Sequence, residues 1–441
     1  MTYRAPRGVN DLLPAMAHAF SWIEEKAHEV FANYGYALIE TPIFEQTDVF
    51  VRGIGSATDV VNKEMFAVFS GASTAKLVAG EELKADEQLT LRPEGTAGVA
   101  RALVQEGLVA SPGFPPVKLW YSGPMFRHER PQKGRLRQFH QIGAECVGAA
   151  EPTADAEVII MLMRFFESLG LARESMRLYL NSMGDETCRP AYRAAVREFI
   201  LAHTDSLCEE CVRRAETNPL RAFDCKNPTC SVVMDEAPVI TEMLCDECAA
   251  HYDVVRTLLD AAGMTFEENP RLVRGLDYYT STVFEVQVDA GLGAQNALGG
   301  GGRYDRLIEE FGGKPTPGLG FAVGLERIVL ALEAQGVKVG TVPQPLVFVA
   351  AVDDEVRATA FAIASQLRDA GIAVELDHQN RSLKSQFKLA DRLGVQWMVV
   401  IGPDELAAQE ATLRCMETHD ERRVPFDKLK DCLNPGTQPQ K

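Results

Sequence analysis

One stretch constrains the fold more than any other: Met125-Phe-Arg-His-Glu-Arg-Pro-Gln-Lys-Gly-Arg-Leu-Arg-Gln-Phe-His-Gln-Ile-Gly-Ala-Glu145. Leu119, Trp120 and Tyr121 lead into it, Pro131 and Gly134 interrupt it, and an alternating run leaves it. The pattern predicts two strands around a basic turn. Side chains of a strand alternate between its faces, so Arg137, Phe139, Gln141, Gly143 and Glu145 share one. That face is too polar for a core. Its cations, flat ring, amide and carboxylate would suit a nucleotide phosphate, an adenine and an amino acid. An Arg/Glu-rich hairpin is also what a solvated sheet face looks like.

Four further segments bear on that choice. Leu91-Arg-Pro-Glu-Gly-Thr96, Leu272-Val-Arg-Gly-Leu-Asp-Tyr-Tyr279, Gly299-Gly-Gly-Gly-Arg-Tyr-Asp305 and Gly318-Leu-Gly-Phe-Ala-Val-Gly-Leu-Glu-Arg327 occur in that order. Each is weak alone. Together with the hairpin they resemble the class II aminoacyl-tRNA synthetases, and among these the histidyl-tRNA synthetase family. The resemblance runs from Arg7-Gly-Val-Asn-Asp-Leu12 to the segment around Val400. It implies a multidomain chain of mixed α/β and α+β type. An antiparallel-sheet catalytic domain would span 1–335, interrupted at 181–262 by a mostly helical insertion. A linker at 336–345 would lead to an α/β anticodon-binding domain at 346–433.

The residues agree with that layout. Phe20, Ile23, Ala27, Val30, Phe31 and Tyr34 form an apolar stripe at helical spacing, and Ala37–Thr41 reads as a strand running into Pro42. In the family this helix and strand build a homodimer interface. Residues 181–262 hold seven of the ten cysteines, and Thr282–Val288 alternates cleanly as a strand. Gly336, Gly340, Pro343 and Pro345 mark the linker, and strands then alternate with helices as crossover connections require. The tail 434–441 is expected to be disordered.

A net charge of -17 argues against non-specific nucleic-acid binding, but a specific RNA partner needs only local positive charge. Arg381, Lys384, Lys388 and Arg392 recur at helical spacing opposite Leu383, Phe387 and Ala390. The stripe is either an RNA-facing surface or a solvated helix face. No apolar run reaches the ~18 residues of a membrane span, and no apolar leader follows Arg4 and Arg7, so a cytoplasmic location is expected.

The resemblance implies that L-histidine attacks the α-phosphate of ATP and that the adenylate then charges tRNA(His). Arg127, Arg274 and Arg327 would stabilise the phosphates, and Arg135 would turn inward to ATP. Phe139 would stack on adenine, and Glu129 would partner Mg²⁺. Glu94, Thr96 and Gln141 would take the α-ammonium; Glu145, Tyr278, Tyr279 and Tyr304 would form the histidine pocket. Arg130, Gln132 and Lys133 would meet the tRNA acceptor end, and Arg381, Lys384 and Lys388 would meet the tRNA elsewhere. Glu94-Gly-Thr96 also reads as a helix-capping segment. Gly299–Gly302 fits neither common nucleotide fingerprint and is expected to serve close packing.

Cys208-x-x-Cys211 and Cys245-x-x-Cys248 bracket Cys225 and Cys230. Two such pairs suggest one tetrahedral zinc site of Cys208, Cys211, Cys245 and Cys248, with Cys225 and Cys230 as competitors. Ordinary buried thiols are the plainer alternative. A different class of protein also has to be weighed: a non-catalytic regulatory paralogue that partners an ATP phosphoribosyltransferase. Such paralogues generally lose the catalytic arginines and the anticodon domain, whereas Arg127, Arg274 and Arg327 all stand here.

Overall fold

The computed structural model describes residues 3–56, 58–109, 115–289, 292, 296–340 and 344–433. The chain divides into two compact units, Met1–Thr341 and Val342–Lys441. The expected tail at 434–441 and part of the linker lie outside the described residues.

An eight-stranded sheet organises the first unit. Its order is Ala37–Leu38, Val117–Phe126, Gln138–Val147, Gly318–Gly324, Ala297–Arg303, Thr280–Val288, Met176–Ser182 and Glu267–Glu268. All pairings are antiparallel except the two at the edges. The hairpin is there in register, from Val117 opposite Val147 to Phe126 opposite Gln138. The helices Pro14–Ala32 and Pro152–Ser168 cover one face, where Ile23, Phe31, Phe165 and Phe166 are fully buried against Phe321 and Phe284. Leaving one such side chain exposed would forgo roughly 1.5–3 kcal/mol. The first helix begins at Pro14, earlier than the apolar stripe indicates, because proline at the first helical position needs no N–H partner.

The glycine run belongs to this sheet. A Cβ on Gly301 would collide with Gly320 O, and one on Gly300 would reach 3.0 Å from the Arg274 guanidinium. Close strand packing is therefore its role. Arg303 of the same motif is fully buried and donates to Asp155 from Nε at 3.0 Å and to Ala149 O at 2.9 Å. It fastens the strand end to the helix Pro152–Ser168.

Between the strands Met176–Ser182 and Thr280–Val288 the chain forms the helices Arg189–Ala202, Glu209–Thr217, Pro228–Met234 and Asp246–Ala261. Asn181 and Ser182, which composition assigns to the insertion, pair with Val283 and Thr282 and so belong to the sheet.

The second unit holds a five-stranded sheet in the order Val374–Leu376, Val347–Ala351, Trp397–Ile401, Glu410–Cys415, Glu421–Pro425. Its first three strands are parallel, with crossover helices Arg357–Asp369 and Leu383–Leu393; its last two form an antiparallel hairpin. Sequence reading found the crossovers and missed this hairpin, whose outer strand is mostly exposed and polar.

Candidate active site

A cleft of about 270 Å³ opens on the face of the large sheet where the hairpin, the segment Arg274–Tyr279 and the start of the helix Leu325–Ala334 meet. Arg127, Arg274 and Arg327 all line it. Each is aimed by a carbonyl or a carboxylate. Arg127 Nε donates to Pro93 O at 2.9 Å, and its guanidinium lies 5.4 Å from the Phe139 ring centroid. Arg274 Nη1 donates to Glu285 Oε2 at 2.7 Å, and its guanidinium lies 5.9 Å from the Tyr279 centroid. Arg327 donates from Nε to Gly134 O at 3.1 Å and from Nη1 to Ala297 O at 2.6 Å. Burial, with the nearby Arg135 charge, lowers the pKa of Arg327. A polyanion in the cleft would relieve both effects.

Glu94, Thr96, Glu129, Arg135, Phe139, Gln141, Tyr278 and Tyr279 line the same cleft. The segment also caps the helix Thr96–Gln105 as expected: Gly95 is the N-cap, and the Glu94 carboxylate before it accepts from Thr96 N at 2.7 Å and Ala97 N at 2.8 Å. Gln141 Oε1 is buried with no hydrogen-bond partner, an acceptor awaiting a donor. Glu129 stands 2.5 Å from Arg135 Nε. Two charged residues of the lining escaped sequence reading. Glu285 pairs with Arg274, and Glu326 accepts from His140 N at 3.0 Å. Glu285 thus holds a cleft residue, and Glu326 holds the backbone of His140 between the cleft residues Phe139 and Gln141.

Glu145 and Tyr304 sit one layer below. Glu145 is fully buried and accepts from Tyr304 Oη at 2.5 Å, Thr96 Oγ1 at 2.7 Å and Tyr121 Oη at 3.2 Å. Gly320 and Gly143 make room, since a Cβ on either would collide with Glu145 or Tyr121. Burial raises the Glu145 pKa to about 8, against 4.5 for an ordinary glutamate. Between these values the folded state holds a proton that the unfolded chain releases, so the group's contribution to stability falls as pH rises. Glu145→Gln should abolish that part of the decline, a few kcal/mol at ~1.4 kcal/mol per pH unit. Urea unfolding at pH 5 and pH 8 reads it; an identical slope in the variant would show that Glu145 does not titrate there.

At the hairpin tip Gln132 and Arg135 close a two-residue turn over Lys133 and Gly134, the glycine at φ +71°. Arg130, Gln132 and Lys133 are exposed there. In the second unit Lys384 and Lys388 are exposed on the helix Leu383–Leu393. Arg381 departs from the expected stripe. It precedes the helix and donates to Asp377 Oδ1 at 2.6 Å, because the Asp377 carboxylate also takes the Arg381 N–H at 2.5 Å. It lines instead a smaller cleft with Arg357, Phe361, His378 and Asn380, where Phe361 is exposed.

The cysteines require a correction. Cys208 and Cys211 do not meet Cys245 and Cys248. They gather with Cys225 and Cys230, while Cys245 and Cys248 gather with Asp185 and Cys188. The two C-x-x-C pairs open different helices, Glu209–Thr217 and Asp246–Ala261, and each finds its partners in the chain packed against that helix end.

An antiparallel sheet of this order, with arginines from the hairpin, the Arg274 segment and the Arg327 helix converging on one face, defines a class II aminoacyl-tRNA synthetase. The profile described as histidyl-tRNA synthetase matches residues 8–328, and that described as anticodon binding domain matches 346–434. A histidine–tRNA ligase from Anaeromyxobacter dehalogenans is 47% identical over 429 residues, covering 97% of this chain and 99% of the relative. The crystal structure of apo S. aureus histidyl-tRNA synthetase is similar with TM-score 0.79 and 35% identity, over 98% of this chain and 100% of that one. An ATP phosphoribosyltransferase regulatory subunit/histidyl-tRNA synthetase from Bacillus halodurans shares the fold, with TM-score 0.63 and 20% identity over 91% and 99%. The chain belongs to the histidyl-tRNA synthetase family and is an aminoacyl-tRNA ligase.

Proposed function

We propose that the chain joins L-histidine to tRNA(His) in two steps, through a histidyl-adenylate made from ATP with release of pyrophosphate. The convergence of Arg127, Arg274 and Arg327 on one cleft carries this reading. A carboxylate attacking a polyanion is opposed by charge, and fixed guanidinium groups offset it without any covalent nucleophile. Arg127 takes the α-phosphate. Arg274 bridges that phosphate and the histidine carboxylate with its planar fork. Arg327 lies against adenine and reaches the γ-phosphate, with Phe139 on the other ring face and Arg135 turned inward. Gln141 Oε1, Glu94 and Thr96 accept from the α-ammonium; the unpartnered amide oxygen supports this. Tyr278, Tyr279 and the Glu145–Tyr304 pair below them select the imidazole, since a polar pocket rejects ligands that leave it unpaired.

Mg²⁺ fits the donor set: it takes one or two carboxylates with phosphate oxygens, and Glu129 offers one carboxylate in the cleft. Bound there, it would neutralise phosphate charge. The exposed Arg130, Gln132 and Lys133 meet the tRNA acceptor end. Lys384 and Lys388 meet its backbone, and Arg357, Phe361 and Arg381 offer unstacked bases an aromatic platform. The chain works as a homodimer in the cytoplasm. Exposed Leu38, Ile43 and Phe44 beside Pro42 support pairing, which sedimentation velocity reads directly. Among the described residues no helix is long and apolar enough to cross a membrane. One structural zinc occupies the four-thiol cluster of Cys208, Cys211, Cys225 and Cys230.

ATP–pyrophosphate exchange with each of the twenty amino acids tests the reading. Exchange is expected with histidine alone. Its absence would return the regulatory paralogue, against which the filled arginine positions and the second unit now stand.

A further inference from the structure

The second cluster is not a lesser copy of the first. Asp185, Cys188, Cys245 and Cys248 present one carboxylate oxygen and three sulfurs, all within 4.8 Å of one another. A tetrahedral zinc ion with Zn–S of about 2.3 Å and Zn–O of about 2.0 Å requires ligand-to-ligand edges of ~3.8 Å between sulfurs and ~3.5 Å from sulfur to oxygen. Here Cys188 Sγ lies 3.9 Å from Cys248 Sγ and 3.3 Å from Asp185 Oδ1, and Cys245 Sγ lies 3.8 Å from Asp185 Oδ1. A disulfide would bring two sulfurs to ~2.05 Å. In the first cluster the Cys208 to Cys225 edge is 3.8 Å. Both sets of side chains already stand at the spacing of a metal shell.

The backbone around the second cluster is arranged for it. Gly184 adopts φ +63°, and a Cβ there would press to 2.6 Å from Cys188 Sγ. Cys188 and Cys245 are the N-cap residues of the helices Arg189–Ala202 and Asp246–Ala261, and neither makes a side-chain capping bond. Two helix N-termini therefore lie at the cluster, and neither cap side chain is spent on its own helix.

We propose that Asp185, Cys188, Cys245 and Cys248 hold a second structural zinc ion, which clamps both ends of the insertion to the catalytic sheet beside the histidine-binding segment. Three sulfurs and one oxygen in a closed tetrahedral set suit zinc, leave no open position for a substrate, and lack the four thiolates of an iron–sulfur cluster. The ligands come from the two ends of the insertion, immediately after the strand Met176–Ser182 and at the start of its last helix. The same short segment also holds the substrate side. Met183 N donates to Ser281 O at 2.6 Å, Ser281 N to Gly184 O at 2.9 Å, and Arg189 Nη1 to Tyr279 O at 2.7 Å. The ion is thus a positioning element for Tyr279, one hydrogen-bonded link away from it. The clamp itself requires no particular activity; its effect on histidine rests on the reading of the cleft given above.

Elemental analysis of the full-length protein, purified without a metal-affinity tag, tests it. Two zinc equivalents per chain are expected. Cys188→Ser should lose one and keep the other, and Cys208→Ser should do the reverse. With cobalt in place of zinc, the thiolate-to-metal charge-transfer band left in Cys208→Ser should reflect three sulfurs, against four in Cys188→Ser. Asp185→Ala, which removes no thiol, keeps the test open should a cysteine variant fail to fold. Its second ion should leave at a chelator concentration that spares the first, and its KM for histidine should rise several-fold with kcat changed less. Full zinc retention by Cys188→Ser would overturn the proposal, as would wild-type protein holding only the ion that Cys208→Ser removes. Iron and sulfide in place of zinc would overturn the identity of the ion. Loss of exchange activity in wild type with both ions present would count against the cleft reading and leave the clamp standing.

Discussion

Replacing Arg274 with alanine is expected to lower histidine-dependent ATP–pyrophosphate exchange about 10²- to 10³-fold, the usual loss when one fixed donor to developing charge is removed. Histidine binding, followed by calorimetry, should weaken much less, because Gln141, Glu94 and the tyrosines remain. Arg274 is inside the cleft lining and paired with Glu285 at 2.7 Å. The alanine variant therefore strands that carboxylate as well as removing a cation. Arg274→Lys separates the two effects: it keeps a charge near Glu285 and loses the planar fork. Its rate should fall between those of wild type and alanine. Exchange at the wild-type rate in the alanine variant would falsify the role given to this residue.

Deleting Val342–Lys441 should leave adenylate formation largely intact and cut tRNA charging by about 10²-fold or more, the scale on which two linked recognition surfaces exceed either alone. Each unit has its own buried core. Val347, Val349, Val399 and Leu413 pack within the second unit, and the sheet residues Ile142, Phe284 and Phe321 pack within the first. The first unit should therefore fold without the second. In the full chain, neutralising Lys384 and Lys388 should weaken tRNA binding and flatten its dependence on salt, by ~0.7–0.9 in log–log slope for each phosphate that the protein no longer neutralises. Equal charging by the truncated and full-length proteins would sink this division of labour.

The cleft was legible in the chain to the extent that its residues lie on regular elements. The alternation after Gly134 placed Phe139 and Gln141 on one strand face, and both line the cleft. Glu285 and Glu326 were not legible. Each is a carboxylate in an ordinary-looking position that holds a neighbour on another element, Arg274 in one case and His140 in the other. Arg381 shows the reverse error. Its helical spacing to Lys384 suggested a shared face, but an ion pair with Asp377 holds it outside the helix and turns it to another cleft.

By itself the sequence determined which residues could share a strand or a helix face, because those periods are properties of the local backbone. The hairpin and the crossover pattern of the second unit follow from it, whereas the arginine trio was implied only by the resemblance of the ordered motifs. Only the tertiary structure decided what meets across long separations. It buried Glu145 under three hydroxyls and raised its pKa, a matter of desolvation that no spacing encodes. It also divided the cysteines. A two-residue spacer ensures that the two sulfurs of one pair can face one ion, but the path of the chain between Cys211 and Cys245 chooses their partners. That path carries Cys225 and Cys230 to the first pair and leaves Asp185 and Cys188 for the second.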